Sequence, residues 1–316
     1  MKKLVSVLMS LVMVLTAAVA LGEAQYTVGI CQLVTHDALD AATQGFMDAL
    51  NAEMGEGVVE YDLQNAAGDS NTCSTIVNAF VADEVDLIMA NATPALQAAT
   101  AATADIPILG TSVTEYGVAL DIDDFNGTVG GNISGTSDLA PLDQQAAMIV
   151  ELFPEAKNVG LLYCSAEANS QYQVDVVKAL LEEKGLTAKL YPFSDSNDVA
   201  AVAQTACDAS DVIYVPTDNT VAANTGIVDN ICQPAGIPVV AGEAGICGGC
   251  GVATLSISYY DLGVTTGKMA AKILKGEADI ATMPVAYAEN FTPQYNAFIC
   301  EALNVTVPAN YVALGE

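Results

Sequence analysis

A series of short apolar motifs occurs twice along the chain, in the same order and at nearly the same spacing. The two copies pair as Val28-Gly29-Ile30 with Val159-Gly160-Leu161, Asp86-Leu87-Ile88 with Asp211-Val212-Ile213, and Ile106-Pro107-Ile108-Leu109-Gly110 with Ile237-Pro238-Val239-Val240-Ala241. The offsets are 131, 125 and 131 residues. Such a repeat predicts two similarly built lobes and not one long sheet. The alternative is chance matching of common strand endings, because each motif is only three to five residues long.

The segments around these motifs alternate between strand-like and helix-like patterns. In the helix-like stretches apolar residues such as Leu39, Phe46 and Leu50 recur near helical spacing. The first half contains strand-like runs at 26–34, 58–63, 85–90 and 106–109, and helix-like stretches at 37–49, 75–82 and 94–104, the last with Thr93 as N-cap and Pro94 in the first helical position. This alternation predicts an α/β protein with helices on both faces of parallel sheets.

Two stretches rich in glycine and polar residues divide the chain. The first, 125–138, has the composition of a connection between the halves, and the second, 242–251, ends the second series. The following unit is strand-like at 252–258 and helical at 259–274. If this unit returns to the first lobe, the chain crosses between lobes more than once and forms a multi-strand hinge. We predict lobe I from 25–134 plus 252–283 and lobe II from 135–251 plus 284–316.

The first 24 residues have the pattern of a secretory signal peptide. Lys2 and Lys3 precede an almost wholly apolar run from Leu4 to Ala20, and small residues follow it. A membrane-spanning helix is the alternative, but the run is at the short limit for crossing a bilayer. We therefore predict removal of residues 1–24 and an extracytoplasmic location, in the periplasm or at the cell surface.

The charge and the motif content limit what the chain can do. Nine lysines, no arginine and 38 acidic residues give a net charge of -29, so a nucleic acid or an anionic membrane would be repelled. The single histidine, His36, excludes sites that need several histidines. The sequence contains no Gly-x-Ser-x-Gly elbow, phosphate loop or dinucleotide fingerprint. We predict a binding protein that has no catalytic residue, no metal and no other cofactor.

The residues just after each predicted strand are the candidates for ligand contact, because parallel sheets bind ligands outside the carboxyl ends of their strands. These positions carry mostly hydroxyls and amides, with few charges. The candidates are Gln32, His36, Asn91, Thr93, Thr111, Ser112 and Thr114 in the first half, and Ser165, Asn169, Thr217, Asp218, Asn219 and Glu243 in the second half.

This set of side chains suits a small zwitterion such as an amino acid. The Thr93 and Ser112 loops can donate hydrogen bonds to a carboxylate from hydroxyls and from helix N-terminal N–H groups. Asp218 and Glu243 are the acids nearest to strand ends in the second half, and either can face an ammonium group. The alternative is that Asp218 and Thr93 only cap the helices that follow them.

Two further features leave alternatives open. His36 can contact a ligand, play a structural role or serve as the base of an enzyme together with Ser165 from the other half. The eight cysteines permit disulfides in an exported chain. Cys247 and Cys250, separated by two glycines, can form a bridge, remain thiols or supply half a zinc site. The pairing of the cysteines does not follow from the sequence.

Five stretches of the chain carry a resemblance to a known family. They are Gln32 to Asp40, Ser134 to Leu139, Ser165 to Ser170, Tyr214 to Ala222 with its Pro-Thr-Asp-Asn-Thr motif, and Tyr259 to Lys268. These stretches resemble substrate-binding proteins of a family of ABC importers linked to aromatic amino acid uptake, and the resemblance covers nearly the whole mature chain.

The resemblance implies a type I periplasmic-binding fold, in which two doubly wound parallel-sheet lobes joined by a hinge enclose the ligand. It implies an extracytoplasmic substrate-binding component of an ABC importer, with a membrane permease as partner and tryptophan, phenylalanine or tyrosine as ligand. By position, the Asn91–Thr93 and Thr111–Thr114 loops would hold the ligand carboxylate, and Asp218 or Glu243 the ammonium. We expect a monomer. No cysteine follows the apolar run of the signal, where a lipid anchor would attach, which argues against an anchor.

A different ligand or role remains the alternative at this point. An extracellular sensor of the same fold could bind a sugar, a nucleoside or a branched amino acid. If the ligand is aromatic, Tyr116, Tyr163 and Tyr214 are the candidates for ring stacking because they lie near strand ends and the chain has no tryptophan.

Overall fold

A computed structural model describes residues 24–315, so residues 1–23, which contain nearly all of the predicted signal peptide, lie outside the described part. The strands are β1 (Tyr26–Gln32), β2 (Val59–Asn65), β3 (Leu87–Asn91), β4 (Ile108–Val113), β5 (Ile133–Ser137), β6 (Asn158–Cys164), β7 (Thr187–Phe193), β8 (Val212–Val215), β9 (Val239–Ala241), β10 (Ala253–Ser256), β11 (Ala286–Tyr287), β12 (Thr292–Tyr295) and β13 (Val312–Ala313).

Helices separate nearly all of the strands. They are α1 (Asp37–Met54), α2 (Ser70–Ala82), α3 (Thr93–Ala102), α4 (Tyr116–Ala119), α5 (Leu142–Leu152), α6 (Ala168–Glu183), α7 (Val199–Cys207), α8 (Asn219–Ala222), α9 (Thr225–Ala235), α10 (Ala244–Cys250), α11 (Tyr259–Leu274) and α12 (Ala297–Leu303), with a 3-10 turn at Ile280–Thr282. Between residues 24 and 315, none of these helices has both the length and the apolar character that a membrane span requires.

The strands form two sheets that share one strand order. The first sheet runs β11-β5-β4-β3-β1-β2 and the second runs β13-β12-β10-β9-β8-β6-β7. Neighbouring strands are parallel except β10 and β12, which are antiparallel. The order β4-β3-β1-β2 in one sheet corresponds to β9-β8-β6-β7 in the other. The prediction of an α/β protein built from two doubly wound lobes is therefore confirmed.

Each sheet buries apolar side chains on both of its faces. On β3, Leu87 and Met89 pack in the same core as Phe46 of α1, whereas Ile88 packs in the core that contains Phe80 of α2. Successive side chains of a strand point to opposite faces, so one buried strand supplies both layers. Burying each such side chain contributes about 1.5–3 kcal/mol, which explains why the strands read as continuous apolar runs and not as alternating ones.

The first residues of two helices differ from the prediction. Helix α2 begins five residues earlier than expected because the Asp69 carboxylate accepts a hydrogen bond from the Thr72 N–H (2.7 Å). In α3 the prediction of Thr93 as N-cap is wrong, since the helix begins at Thr93 and Ala92 takes the cap position with a φ of 89°. The Ala92 N–H donates to the Thr111 carbonyl (3.0 Å), so β4 holds this turn in place.

The chain passes between the two sheets three times. The crossings lie at 138–141, between β5 and α5, at 257–258, between β10 and α11, and at 288–291, between β11 and β12. Together these segments form the multi-strand hinge that the sequence predicts.

The pairing of three strands differs from the predicted lobe bounds. Strand β5 continues beyond residue 134 and pairs in the first sheet, and β11, which we placed in lobe II, pairs with it. Strand β10 pairs with β9 of the second sheet although we placed it in lobe I. A local apolar pattern identifies a strand but not the sheet that it joins. We propose lobe bounds that follow the pairing, with lobe I at 24–137 plus 259–287 and lobe II at 142–256 plus 292–315.

Helix α11 packs directly against α1 through glycines. A Cβ atom at Gly263 would lie 2.0 Å from the Ala42 carbonyl oxygen, and one at Gly45 would lie 2.1 Å from the Tyr260 carbonyl oxygen. The two backbones approach this closely only because these positions carry no side chain. Since α11 follows the second crossing, this contact fixes the helix after the hinge to lobe I.

We predict that Gly263→Ala lowers the free energy of unfolding by about 1–3 kcal/mol, because the added methyl group overpacks the α1–α11 contact. Gly226 in α9 is the matched control, since a Cβ atom there meets no atom within 4 Å. Gly226→Ala should leave stability unchanged or raise it by up to about 1 kcal/mol. Urea unfolding followed by circular dichroism measures both variants, and equal effects would contradict the role of the contact.

Candidate ligand-binding cleft

A small cavity lies between the two lobes, at the carboxyl ends of the parallel strands. Side chains from both lobes and from the hinge line it. They are His36, Ala38, Leu39, Ser112, Thr114, Asp138, Asn169, Thr217, Asp218, Asn219, Ala222, Glu243 and Tyr259. This position is where open parallel sheets bind their ligands.

Eight of the thirteen residues predicted from the sequence line this cavity. They are His36, Ser112, Thr114, Asn169, Thr217, Asp218, Asn219 and Glu243. The repeat of the strand order brings the loops of both halves to the same crevice. This is why residues more than 180 positions apart in the sequence, such as His36 and Asn219, come into contact.

The structure places the other five predicted residues away from the cavity lining. The Gln32 amide group donates to Asp40 Oδ1 (2.6 Å), and its carbonyl oxygen accepts from the Thr43 hydroxyl (2.7 Å). The Asn91 amide also donates to Thr43 Oγ1 (2.9 Å). Both side chains therefore connect a strand of lobe I to α1, and Asn91 Oδ1 is left without a partner among the described residues.

Ser165 and Thr111 are likewise satisfied within their own lobes. The Ser165 hydroxyl donates to the Phe193 carbonyl (3.0 Å), and the Thr111 hydroxyl lies 3.1 Å from Thr136 Oγ1. Thr93 is different, because its buried hydroxyl oxygen at the start of α3 has no hydrogen-bond partner among the described residues.

Three buried carboxylates surround the cavity, and they differ in how their oxygens are used. Asp218 accepts from the N–H groups of Cys164 (2.6 Å) and Val221 (2.9 Å), so it joins β6 to the first turn of α8. Glu243 accepts from the N–H of Gly245 (2.6 Å) and from that of Ile246, at the start of α10. Both acids cap helices, which is the alternative that the sequence left open for Asp218.

Asp138 is the carboxylate that the sequence analysis missed. It lies at the first crossing, accepts a hydrogen bond from the Tyr259 hydroxyl on Oδ2 (2.9 Å), and is 3% exposed. Its Oδ1 has no hydrogen-bond partner within the described chain. The polar stretch 125–138 reads as a connection in the sequence, and the available signal was that Asp138 directly follows a strand.

The cavity is acidic and holds no compensating cation. Burial raises the pKa of Asp218 and of Glu243 to about 7, and it also raises the pKa of Asp138. None of the lining residues, all of which fall within the described chain, is a lysine. Buried ionised carboxylates without a counter-charge are costly, so this cavity favours a bound group that carries positive charge.

Several buried polar atoms at the cleft lack a partner. Besides Asp138 Oδ1, they are the hydroxyl of Ser112 and Oδ1 of Asn169. Each unsatisfied buried group costs about 1–3 kcal/mol, so three of them at one cavity indicate places where a ligand makes hydrogen bonds. Ser112 also has a left-handed backbone, with a φ of 52°, and such strain is typical of functional sites.

A hydrogen bond joins the lobes across the cleft. His36 Nε2 lies 3.2 Å from Asn219 Oδ1, and the Asn219 amide donates to Glu167 Oε2 (2.6 Å). Because the Asn219 oxygen is an acceptor, His36 Nε2 carries the proton. Burial lowers the pKa of His36, so the imidazole is neutral when the lobes are in contact. We call this chain of three residues the interlobe bridge.

The three tyrosines predicted to stack on a ligand do not line the cavity. Tyr116, Tyr163 and Tyr214 are buried, and their hydroxyls donate to groups of their own lobe, Thr136 O, Gln171 Oε1 and Gln145 Oε1. The aromatic ring at the cavity is Tyr259, in the first turn of α11. A second pocket shares Asn219 with this cavity and is lined by apolar residues such as Leu33 and Pro94 together with polar residues such as Glu167.

Comparison with known proteins gives a consistent result. Residues 27–315 match the family described as ABC transporter substrate binding protein. The tyrosine-binding protein of Clostridioides difficile strain R20291 is 36% identical over 267 residues, which is 83% of this chain and 76% of that protein.

Two solved structures show the same fold in different states. An ABC domain from Streptococcus pneumonia in complex with L-Trp is 32% identical, with a TM-score of 0.87 over 92% of this chain and 99% of that one. A ligand-free, open substrate binding protein with adhesive properties from Clostridium difficile is 38% identical, with a TM-score of 0.69 over the same shares. The TM-score is therefore higher with the L-Trp complex than with the ligand-free, open structure.

We predict that the ligand-free protein has a higher Tm at pH 5.5 than at pH 7.5. The pKa values of Asp218 and Glu243 are raised from about 4 to about 7, so the folded state keeps protons that the unfolded state releases. This stabilisation is complete below pH 4 and is lost as the pH rises through about 7. The pKa of His36 is lowered, so this residue makes the Tm rise with pH, but it is a single group against two carboxylates.

Differential scanning calorimetry at the two pH values checks this expectation. The Asp138→Asn variant is the internal comparison, because removing one raised carboxylate should make the pH dependence shallower. A Tm that increases from pH 5.5 to pH 7.5 would contradict the assignment of the cavity as an uncompensated acidic site.

Proposed function

The chain belongs to the ABC transporter substrate-binding protein family and acts outside the cytoplasm with a membrane permease, and we propose that its ligand is a zwitterionic amino acid with an aromatic side chain. The observation that carries this proposal is the wholly buried Asp138 with one free oxygen, in a cavity without a lysine. The relatives that bind tyrosine and L-Trp support the aromatic class.

The ammonium group of the ligand is assigned to Asp138. Asp218 and Glu243, which the sequence favoured for this role, already accept two backbone N–H bonds each, whereas Asp138 Oδ1 accepts none. An ammonium group donates up to three hydrogen bonds, so it can also reach Asn169 Oδ1, which is unpartnered at the same cavity. The charge of the ammonium would offset the cost of three buried acids.

The carboxylate of the ligand is assigned to the free hydroxyls of lobe I. Ser112 lines the cavity. Thr93 lies outside that lining, but it begins α3, whose first N–H groups have no intrahelical partner. Both hydroxyls are buried and without acceptors. A helix N-terminus favours negative charge, which compensates for the absence of an arginine or lysine at the site.

The aromatic side chain supplies part of the affinity, and the polar contacts supply the rest. Burying an aromatic ring removes about 150–250 Å² from water, which is worth about 4–6 kcal/mol at 25 cal/mol per Å². A micromolar affinity needs about 8 kcal/mol. The ammonium and carboxylate contacts must therefore add several kcal/mol. Tyr259 and Leu39 are the ring neighbours that the cavity offers.

We also infer that the chain acts by binding and not by catalysis. The candidate pair for an enzyme was Ser165 with His36, but the Ser165 hydroxyl donates to Phe193 O and His36 contacts Asn219. Closure of the two lobes of one chain is enough to enclose the ligand, which supports action as a monomer. Export through removal of the signal peptide at residues 1–24 remains our prediction, and nearly all of that segment lies outside the described residues.

We predict that tyrosine, tryptophan or phenylalanine raises the Tm of the mature protein, and that neutral sugars and nucleosides do not. A sugar would leave the buried carboxylates of the cavity without a counter-charge. A thermal-shift screen of the amino acids, with isothermal titration calorimetry on the best compound, tests the ligand class. Stabilisation by a sugar or nucleoside and by no amino acid would refute the proposal.

We predict that Asp138→Asn weakens binding of the best amino acid at least tenfold without lowering the Tm of the free protein. Removing one partner of a buried charged contact costs about 2–5 kcal/mol, while the free protein loses a costly buried charge. Asp143→Asn is the matched control, because Asp143 is exposed at the start of α5. Titration calorimetry measures both variants.

The opposite outcome would reassign the ammonium contact. If Asp138→Asn binds as tightly as the unaltered protein while Asp218→Asn or Glu243→Gln loses affinity, the contact belongs to one of the two capping acids. Those variants should also lower the Tm, since each replaces one of the two oxygens that accept backbone N–H bonds with an NH2 group that cannot accept.

A further inference from the structure

The eight cysteines of the chain are all buried and present as free thiols. Cys207 Sγ and Cys232 Sγ are in direct contact, 3.1 Å apart, and Cys31 also lies beside Cys73. The pair that the sequence singled out behaves differently. Cys247 and Cys250 lie on one short helix, α10, and the Cys250 thiol donates to the Ile246 carbonyl (3.4 Å) and not to Cys247.

The contact between Cys207 and Cys232 joins two helices of lobe II. Cys207 is the last residue of α7, and Cys232 lies in α9, which packs beside α7 in the same core cluster. The two sulfur atoms are about 1 Å farther apart than in a disulfide, whose S–S bond is about 2.05 Å long. Rotation of the two side chains, without a rearrangement of the helices, can therefore bring them to bonding distance.

We propose that Cys207 and Cys232 form a disulfide in the extracytoplasmic protein. The residues are 25 positions apart, and the chain between them contains β8, α8 and the cleft residues Thr217, Asp218 and Asn219. The bond would close this part of lobe II into a covalent loop. The proposal depends on the family and its compartment, which permits disulfides, and is independent of the identity of the ligand.

The oxidation balances as a thiol–disulfide exchange with a small disulfide. Cys207 loses its proton and its sulfur attacks one sulfur of the small disulfide, which releases one small thiol and leaves a mixed disulfide. The Cys232 sulfur, after losing its proton, displaces the second small thiol and forms the Cys207–Cys232 bond. A hydrogen bond from Cys232 lowers the pKa of Cys207, which favours Cys207 as the attacking sulfur.

Peptide mapping tests the proposal on the mature protein, with oxidised glutathione as the small disulfide. One arm oxidises the folded protein, and a second arm refolds the reduced protein in glutathione buffer, because both thiols are buried in the fold. After blocking of free thiols, a protease that cuts before Asp and Glu places Cys207 in fragment 198–207 and Cys232 in fragment 229–242. Each fragment contains one cysteine.

We expect the two fragments to appear as one linked species that dithiothreitol separates. We also expect the oxidised protein to have a Tm at least about 5 °C above that of the reduced protein, since the loop restricts the unfolded chain. Cys232→Ser should lose both effects. Cys300→Ser is the matched control and should keep both, because the buried Cys300 thiol donates to the Val252 carbonyl (3.3 Å).

Three results would overturn the proposal. The first is that Cys207 and Cys232 remain free thiols in both arms. The second is a glutathione adduct on Cys207 that persists without linkage to Cys232. The third is a link from either cysteine to another partner, for example Cys247, with no Cys207–Cys232 species present.

Discussion

The contact between α1 and α11 is the constraint on which the geometry of the cleft depends. Gly45 and Gly263 let two helix backbones touch, and α11 is the helix that the chain enters from the second crossing. The first turn of α11 carries Tyr259, whose hydroxyl donates to Asp138 in the first crossing. Close helix packing in lobe I therefore positions an acid of the hinge at the cavity between the lobes.

The electrostatics of the cleft follow from the same arrangement. Backbone N–H groups at the helix starts hold Asp218 and Glu243, while Asp138 keeps one oxygen free. Without a lysine at the site, closure of the empty protein concentrates negative charge in a poorly solvated space. The ammonium group of a zwitterionic ligand would offset this negative charge. The His36–Asn219 contact then holds the two lobes together.

The sequence predicts the architecture better than it predicts the chemistry of the site. The repeat indicates two lobes because the buried strands are continuous apolar runs, and such runs are visible in the local sequence. Sheet membership of β10 and β11 is set by their pairing with β9 and β5, and no local pattern encodes that choice. Asp138 was missed for a related reason, since its stretch has the composition of a loop and only the fold brings it beside Tyr259. Asp218 is the opposite case. The sequence places it at the cleft, but its local pattern does not show whether its carboxylate caps α8 or contacts the ligand.

The three crossings also have a consequence for how the protein is made. Lobe I needs α11 and β11, which lie after nearly all of lobe II in the chain. While the polypeptide is still emerging, the α1 surface around Gly45 has no partner until residues near 263 arrive. The amino-terminal half therefore stays incomplete through most of synthesis and export. Chaperones that hold unfinished chains have a defined surface to protect during that interval.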